Sequence, residues 1–450
     1  MELFNIFLSM KRLNSKYKLS RYNVFHQDRE VQYMWNTYSG ALLKLDKSGQ
    51  EYIHSFSGFD DGSGEFKLLK ANGFIVFEQI DEFGRVCFEE KKALTSLEPY
   101  EMRFVIAVGM GCNYDCWYCF EKGVKSIINM TPEIANMVSE YICQQLKNNP
   151  NAKKIKIGWF GGEPLLYTDI IEIISNRLIK YTVQNSIVYS AKLVTNGRLL
   201  DTKALQLLQD LCVEEFQITI DGTKDLYCKS KNATSEDFKC VIDNICYVAE
   251  KTNNIKLLIR LNIANNDVKE AISTTDYLFS QCGLLGKTRI NFAFVRDFTK
   301  PSNVTQEAYA NYVHDYFQWL DYIIKNYGMS AVKVNFPVRR HTSCGLTRAT
   351  VLCIGPSGEF YKCERRIGDH SKIIGNVSHG RFYNDVELAY QATVDSQSKK
   401  QCAQCSYVPV CMGKCADDRV VGCIGCDCET YKKINFKFKL LKGGVKTWNF

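Results

Sequence analysis

The 450-residue sequence predicts an α/β protein in which a repeating strand–helix unit lies between two smaller domains. Six strand candidates alternate with helical stretches between residues 103 and 294, about 98 residues precede them, and a cysteine-rich region follows Pro337. Strands that alternate with helices predict a parallel sheet. Six units are fewer than the eight of a closed barrel, so a partial barrel and an open doubly wound sheet both fit.

The N-terminal domain is predicted over residues 1–98, and it contains short strand-like runs at 22–25 and 31–35. A helix is expected within 42–56, and another over 66–73 ends in Asn-Gly before a strand at 74–77. A small sheet with helices and a terminal wing indicates a compact winged-helix-like unit, and a purely structural extension is the alternative.

The central domain is predicted over 99–335, with Thr131 as the cap and Pro132 as the first residue of its first helix. The predicted strands cover 103–108, 155–160, 187–194, 215–220, 256–263 and 289–294. Later helices are predicted at about 168–181, 202–211, 236–251, 267–281 and 305–327. The remaining residues, 336–450, form the third domain, which ends in a lysine-rich helix at 431–442.

Composition excludes several classes of protein. Apolar residues make up 46% of the chain and charged residues 24%, which is ordinary globular usage and excludes a disordered or collagen-like protein. The net charge of +8 comes from scattered lysines and arginines, so no nucleic-acid partner is expected. No run of about 18 apolar residues and no signal peptide is present, which predicts a cytoplasmic protein without a membrane partner.

The 20 cysteines are the anomaly of this composition. A reducing cytosol disfavours disulfides in a large chain, so metal or cluster ligation is the better interpretation. Three of them form the C-x3-C-x2-C run Cys112, Cys116 and Cys119, directly after the first central strand. Three thiolates can hold three irons of a [4Fe–4S] cluster and leave the fourth open, whereas a structural zinc site usually needs four protein ligands.

Polar residues follow the neighbouring strands at the same predicted edge of the sheet. Gly161-Gly162-Glu163-Pro164 follows the second strand, Thr195-Asn196-Gly197 the third, and Thr219-Ile220-Asp221-Gly222 the fourth. Glycines allow close approach of the backbone to a ligand, and a carboxylate can receive an ammonium group. Taken alone, the first of these segments would be explained equally well by a tight strand-to-helix turn.

Residues of about 103–295 resemble the radical S-adenosylmethionine (radical SAM) superfamily. The cysteine run, with Tyr118 as its aromatic residue, and the Gly-Gly-Glu-Pro segment carry the resemblance. It implies a six-unit partial (β/α) barrel in which the three cysteines bind a [4Fe–4S] cluster and SAM chelates the open iron. It also implies reductive cleavage of SAM to a 5′-deoxyadenosyl radical, which abstracts a hydrogen atom from the substrate.

The same resemblance implies residues that contact SAM. Tyr118 would lie near the adenine, and Gly161, Gly162 and Glu163 would meet the methionyl ammonium. Thr219 would contact the ribose or the carboxylate, and Arg260 would contact the carboxylate.

The C-terminal cysteines stand at 344, 353, 363, 402, 405, 411, 415, 423, 426 and 428. Over about 344–430 the pattern resembles the SPASM extension, which carries two auxiliary [4Fe–4S] clusters. By that resemblance Cys344, Cys363 and Cys415 bind one cluster, with Cys353 as a possible fourth ligand. Cys402, Cys405, Cys411 and Cys428 bind the other, although Cys423 or Cys426 could replace Cys428, and Cys423 could complete the first cluster instead. Three [4Fe–4S] clusters and SAM are therefore the expected cofactors.

The expected function is that of a peptide maturase. Residues 1–98 resemble, in shape and length, the winged-helix element with which maturases of ribosomally made peptides bind a leader segment as an added strand. The enzyme would install a thioether or carbon–carbon crosslink in a precursor peptide of leader and core, with an external electron donor such as a flavodoxin or ferredoxin.

Two other functions remain open. Glu364 follows Cys363, where SPASM enzymes that modify sulfatases have a proposed catalytic Asp, and it is the candidate catalytic base. A sulfatase-maturing enzyme that forms formylglycine is an alternative function, although the resemblance implies that such enzymes begin near their first cluster motif, whereas about 100 residues precede that motif here. Glu364 could equally be a surface acid or a partner of Arg365 or Arg366. A non-catalytic iron–sulfur electron carrier is a third possibility, but such a protein has no need of the Gly-Gly-Glu-Pro segment.

Overall fold

The computed structural model describes residues 16–28, 30–96, 100–122, 128–252, 255–295, 306–394, 400–420, 428–443 and 445–447. Within these ranges the chain forms a long, mostly parallel sheet, a smaller N-terminal sheet, and a C-terminal region of short strands and helices.

The N-terminal region consists of five short strands and three helices. The strands are β1 (Tyr17–Leu19), β2 (Asn23–Asp28), β3 (Val31–Asn36), β4 (Leu42–Leu45) and β5 (Ile75–Phe77). The helices are Lys47–His54, Gly64–Ala71 and Glu82–Thr95. Strands β2, β3 and β4 form an antiparallel meander, and β5 pairs with β1. The predicted Asn-Gly helix end is present, with Asn72 as the cap and Gly73 at φ +75°.

The prediction of one helix within 42–56 is wrong at its start. Leu42–Leu45 is a strand, because it pairs with β3 in the register Trp35↔Leu42, and the helix begins only at Lys47. Asp46 ends the strand and caps this helix, since its side chain accepts a hydrogen bond from the Gly49 amide.

The six predicted parallel strands are confirmed, with their ends shifted by at most two residues. They are β6 (Glu101–Ala107), β7 (Lys154–Phe160), β8 (Val188–Thr195), β9 (Val213–Ile220), β10 (Lys256–Leu261) and β11 (Thr288–Phe292). Each pairs in parallel with the next in chain order, as a six-unit partial barrel requires.

Helices cover this sheet and bury its apolar face. They are Pro132–Lys147, Thr168–Gln184, Thr202–Asp210, Lys224–Lys231, Ser235–Lys251, Val268–Asp276 and Gln306–Tyr327. The first is capped by Thr131, whose hydroxyl accepts a hydrogen bond from the Ile134 amide, and Pro132 opens it as predicted. Ile157, Trp159, Leu193 and Ile218 are fully buried between strands and helices. The core therefore fixes the strand ends, where the candidate site lies.

The C-terminal region continues the sheet of the barrel. Strand β12 (Val351–Ile354) pairs in parallel with β6, and β13 (Glu359–Tyr361), β14 (Gly375–Asn376) and β15 (Gly380–Arg381) follow as antiparallel neighbours. The helices of this region are Asp385–Gln391, Lys400–Ala403, Val408–Cys411, Ala416–Val420 and Cys428–Lys442. The pairing of β12 with β6 places the hairpin that contains Cys353 beside the cysteine loop of the barrel.

The last described strand, β16 (Val445–Thr447), returns to the N-terminal sheet and pairs in parallel with β4. Apolar side chains also join these two regions: Trp35 and Leu42 are buried with Tyr407, Val410 and Phe436. The N-terminal sheet therefore shares its core with the C-terminal region.

A search of the helices in the described ranges for a bilayer-spanning segment found no candidate of sufficient length and hydropathy.

Candidate active site

The cysteine run lies in a loop directly after β6, at the end of the sheet where the parallel strands finish. Cys112, Cys116 and Cys119 are partly exposed, none forms a disulfide, and all three line a cavity of about 350 Å³. The predicted residues Tyr118, Gly161, Gly162, Thr219, Arg260 and Glu364 line the same cavity. The fold thus brings together residues that are up to 252 positions apart in the sequence.

Two glycines allow the turn after β7 to lie directly against the cysteine loop. The Gly162 amide donates to the Gly109 carbonyl at 3.1 Å, and the Glu163 amide donates to the Gly111 carbonyl at 2.9 Å. A Cβ atom on Gly161 would lie 2.2 Å from the Gly109 oxygen, and one on Gly162 would lie 2.2 Å from the Gly111 oxygen. Only glycine fits at these two positions, so the turn explanation and the ligand explanation of the segment are compatible.

Glu163 lies behind this turn, fully buried, and is not among the described residues that line the cavity. Its Oε1 atom accepts hydrogen bonds from the Thr195 hydroxyl at 2.7 Å and the Leu165 amide at 3.0 Å, and its Oε2 atom accepts from the Asn196 amide at 2.8 Å. Burial raises the pKa of this carboxyl although the hydrogen bonds oppose the shift. The carboxylate therefore joins the end of β8 to the turn after β7, and its contact with the SAM ammonium stays a prediction.

Replacing Glu163 by Gln is expected to weaken this connection. The new side-chain NH₂ group would face either the Asn196 amide or the Leu165 amide, and two donors cannot bond. We expect a loss of about 1–3 kcal/mol in the free energy of unfolding, together with weaker SAM binding. Thermal denaturation and equilibrium dialysis with SAM measure the two effects. Glu172→Gln, on the exposed side of the helix Thr168–Gln184, is the matched control. An unchanged melting temperature would contradict the connecting role.

A buried charged network supports the cysteine loop from the other side, and sequence analysis did not predict it. The Lys231 ammonium lies 3.2 Å from Asp221 Oδ1, and both side chains are at most 2% exposed. The Tyr118 hydroxyl donates to Asp221 Oδ2 at 2.5 Å. Burial opposes the charge of Lys231, but the Asp221 carboxylate and the Cys116 thiol raise the pKa of its ammonium. Lys231 also lines the cavity, where it supplies a fixed positive charge.

Main-chain hydrogen bonds connect this network to the loop. The amides of Asp115 and Trp117 donate to the carbonyls of Lys231 and Ser230, each at 3.3 Å. The end of the helix Lys224–Lys231 thereby holds the segment between Cys112 and Cys119. A lone lysine at a helix end is normally a solvated residue, so only the three-dimensional arrangement identifies Lys231 as part of the site.

Thr219 and Arg260 face the cavity from adjacent strands. They are direct partners in the register of β9 and β10, and both line the cavity. Arg260 Nε donates to the Asn262 side chain at 3.0 Å, and Asn262 in turn donates to the Tyr118 hydroxyl at 3.3 Å. The two residues predicted to contact SAM are thus connected to the aromatic residue of the cysteine run.

The C-terminal cysteines in the described ranges fall into two groups. Burial raises the pKa of the Cys344 thiol, and Cys415 and Glu364 raise it further, which places Cys415 close by. Burial likewise raises the pKa of Cys353 well above its ordinary value, with further contributions from Glu364, Cys363 and Cys344. These electrostatic contributions relate Cys344 to Cys415, and Cys353 to Cys363 and Cys344, and their joint binding of the first auxiliary cluster stays a prediction.

The second group lies near the helix Lys400–Ala403. Burial raises the pKa of Cys402, and the neighbouring Cys405 and Cys428 raise it further. Cys411 is close to Arg419. Burial lowers the pKa of the Arg419 guanidinium, whereas Cys415, Cys411 and Cys402 raise it. Cys423 and Cys426, the alternatives to Cys428, lie outside the described residues. The assignment of ligands to the two clusters stays a prediction.

Glu364 and Arg365 extend from the first auxiliary group into the cavity that the cysteine loop lines. Arg365 donates to Cys415 Sγ at 3.2 Å and to Asp418 at 2.9 Å, and it lies 2.9 Å from Asp417. The alternative role of Glu364 as a partner of Arg365 or Arg366 is not needed to explain these arginines, because Asp417 and Asp418 bind both of them. The Glu364 carboxylate lines the cavity of the cysteine loop, and its catalytic role stays a prediction.

The thiol sets suit iron–sulfur clusters better than single ions. In the described part of the chain, no three His, Cys, Asp or Glu side chains are close enough together to enclose one metal ion. A four-iron cluster needs wider spacing, since each thiolate binds a different iron. Cys112, Cys116 and Cys119 line one cavity beside the glycine turn, and their individual roles as ligands of such a cluster stay a prediction.

Comparison with known proteins identifies the central domain. Residues 106–272 match the Radical SAM superfamily. The chain is 26% identical over 443 residues to the radical SAM cyclopropyl synthase TigE of Paramaledivibacter caminithermalis, and the alignment covers 88% of this chain and 89% of TigE.

Two further similarities concern smaller parts or the fold alone. A probable GTP 3′,8-cyclase of Methanococcus aeolicus is 34% identical over 171 residues, which span 37% of this chain and 53% of that protein. The solved structure of native anSMEcpe with bound AdoMet and Kp18Cys peptide aligns with a TM-score of 0.57 at 15% identity, covering 76% of this chain and 98% of that one. The latter similarity confirms the predicted fold class.

Proposed function

Because this chain is an enzyme of the radical SAM superfamily, we propose that it installs a crosslink in a ribosomally made precursor peptide. The observation that carries the proposal is the shared cavity, which is lined by the cysteine loop and by Glu364 and Arg365 next to the auxiliary cysteine Cys363. A substrate group in this cavity lies between the site of radical formation and a second redox centre. That placement suits an oxidation that removes two hydrogens from the substrate.

The residues of the cavity have separate tasks in this reaction. When bound, the cluster of the cysteine loop and SAM supply the organic radical that takes a hydrogen atom from the substrate. Lys231 and Arg260 provide positive charge for the carboxylate of SAM, and the turn at Gly161 and Gly162 provides main-chain polar groups. The Glu364 carboxylate would take the proton that is released as the new bond forms, and the auxiliary cluster held by Cys363 would accept the remaining electron.

The size of the cavity favours a substrate that remains largely outside it. The cavity volume of about 350 Å³ lies at the lower end of the range for small-molecule sites, and SAM itself occupies a similar volume. Only a side chain or a short segment can enter beside SAM. A peptide meets this condition, because its recognition can take place elsewhere on the enzyme.

A second cavity, of about 690 Å³, gives the N-terminal region the means for that recognition. It is lined by Ser39–Leu42 at the start of β4, by Lys70–Gly73, and by Arg85 and Arg339. The cavity is lined by three basic residues, Lys70, Arg85 and Arg339, and by the acidic Glu82, and Glu89 pairs with both arginines. The remaining basic excess suits an acidic segment of a leader. We therefore assign leader recognition to 1–98, SAM chemistry to 99–335 and the auxiliary clusters of a SPASM domain to 336–450.

The known proteins support these assignments. A cyclopropyl ring contains a new carbon–carbon bond, so the similarity to TigE favours carbon–carbon bond formation over a thioether. The anSMEcpe structure, which shares the fold, holds both AdoMet and a peptide. Three [4Fe–4S] clusters and an external reductant such as a flavodoxin or ferredoxin complete the proposal.

The proposal is tested with anaerobically reconstituted full-length enzyme, SAM, dithionite and the precursor peptide encoded in a neighbouring reading frame. We expect 5′-deoxyadenosine by chromatography and, by mass spectrometry, a peptide that has lost two hydrogens. Glu364→Gln should retain SAM cleavage and lose at least ten-fold in product, whereas Glu359→Gln, in the neighbouring hairpin, should retain both. Formylglycine on a sulfatase-type peptide would support sulfatase maturation instead, and absence of 5′-deoxyadenosine would exclude both.

A further inference from the structure

The outer edge of β4 in the N-terminal sheet is occupied by the chain's own C-terminus. The strand order is β16-β4-β3-β2, and β16 pairs with β4 in parallel in the register Val445↔Leu42, Lys446↔Leu43 and Thr447↔Lys44. The other strands of this sheet are consecutive in the chain, whereas β16 comes from almost 400 residues later. The edge of β4 therefore accepts a strand that is not part of the local N-terminal fold.

The pairing of β16 is short within the described residues. It comprises three residues there, whereas β2 and β3 pair over six. The preceding helix ends at Lys442, and Gly443 follows it with φ +73° and its amide bonded to the Leu440 carbonyl. A three-residue strand on a glycine junction gains few main-chain hydrogen bonds, and its occupancy depends on the tether that keeps it close to β4. A longer strand can displace it.

The same edge begins at the basic cavity of the N-terminal region. Leu42, which is paired with Val445, lines that cavity together with Ser39, Gly40 and Ala41. A peptide strand added to β4 would therefore lie next to Lys70 and Arg85 and could contact both of them. Main-chain pairing gives such a peptide affinity, and the neighbouring side chains give it specificity.

We propose that β16 occupies the peptide-docking edge of the enzyme and is displaced from β4 when an extended segment of the precursor binds. This rests on the proposed function only for the identity of the competing peptide. The edge itself is a property of the fold, and β16 covers it in the resting enzyme. Because the precursor must displace β16, it binds more weakly than it would at an open edge of β4. Short unrelated peptides are therefore excluded from this edge.

The first test concerns the edge without any precursor. A full chain that lacks residues 443–450 is compared with the complete enzyme by amide hydrogen exchange at Leu42–Leu45. A fluorescein-labelled peptide with the sequence of residues 443–450 is added in trans, and its binding is followed by anisotropy. We expect faster exchange in the shortened enzyme, saturable binding of the peptide to it, and at least ten-fold weaker binding to the complete enzyme. Equal exchange and equal peptide binding in the two proteins would overturn the assignment.

Point variants keep the test valid if the deletion fails to fold. Successive amides of a strand alternate between its two edges, so Val445→Pro with Lys446→Pro removes whichever amide faces β4. Val445→Ala with Lys446→Ala keeps both amides and is the matched control. The proline pair should reproduce the deletion, and the alanine pair should behave as the unaltered enzyme. Identical behaviour of both pairs would also overturn the assignment.

The second test uses the precursor peptide, and it separates the two proposals. The shortened enzyme should bind the precursor about ten-fold more tightly than the complete enzyme. Equal affinity would mean that the precursor docks elsewhere, for example at β2, the other terminal strand of the described sheet, and would overturn displacement. If the shortened enzyme takes the labelled tail peptide but no precursor, the edge assignment is supported and the proposed maturase function is overturned.

Discussion

Simultaneous replacement of Cys112, Cys116 and Cys119 by alanine is expected to abolish SAM cleavage completely. These thiols line the catalytic cavity in one loop, and no other described cysteine lines it. If the enzyme carries three four-iron clusters, the variant keeps about two thirds of the iron, because the auxiliary groups retain their ligands. Iron analysis and chromatography of 5′-deoxyadenosine measure the two quantities separately.

A matched triple variant tests the specificity of this loss. Cys212, Cys246 and Cys282 lie outside the cavity and outside both auxiliary groups. Their replacement by alanine should preserve both the iron content and the rate of SAM cleavage. Residual cleavage in the first variant would refute the assignment of the catalytic loop, whereas loss of two thirds of the iron would contradict the presence of two separate auxiliary clusters.

The central fold could be predicted because local sequence and tertiary structure agree there. Each strand run is apolar and each helix has a regular apolar face. The predicted and observed ends of the strands therefore differ by at most two residues. Leu42–Leu45 was misassigned because its three leucines and one lysine suit either a helix or a strand. The pairing of Trp35 with Leu42 decides between them, and that pairing is absent from local sequence.

The site could be predicted where a short motif carries its chemistry. The cysteine run and the glycine pair are contiguous, and the structure places them against each other. Lys231 could not be predicted, because its role depends on burial against Asp221. The addition of β12 to the barrel sheet could not be predicted from local sequence either, since β12 and β6 pair residues that are almost 250 positions apart. Glu163 is a third case. The motif identified this residue, but the hydrogen bonds of its carboxylate in the structure are made to other groups of the protein.

Deletion of residues 1–98 is expected to destabilise the C-terminal region and to lower its iron content. The deletion removes Trp35 and Leu42 from the core that contains Tyr407, Val410 and Phe436. It also removes Tyr22, Val86 and Cys87, which are buried with Val394, Val408 and Met412. Each apolar side chain that becomes exposed costs about 1.5–3 kcal/mol, so the total loss is comparable to the stability of a whole domain.

Polar contacts across the same boundary would be lost as well. The His26 ring bonds the Tyr407 hydroxyl at 2.7 Å, the Ser406 hydroxyl donates to the Arg21 carbonyl at 2.7 Å, and Glu90 accepts from the Val394 amide at 2.6 Å. Ser406 and Tyr407 directly follow Cys405 in the chain, so the loss of their bonds loosens the second cysteine group. We expect a lower melting temperature and loss of about one third of the iron.

Removal of residues 1–15 alone is the control, because it takes away none of these contacts. Thermal denaturation and iron analysis of the two truncated proteins separate a general effect of truncation from the loss of the shared core. A deletion of 1–98 that keeps its full iron content and melting temperature would show that the two regions fold independently. If the iron is lost, failure of that protein to modify a precursor says nothing about leader binding. The β16 variant Val445→Pro with Lys446→Pro then becomes the valid test of peptide recognition, since it changes none of these core residues.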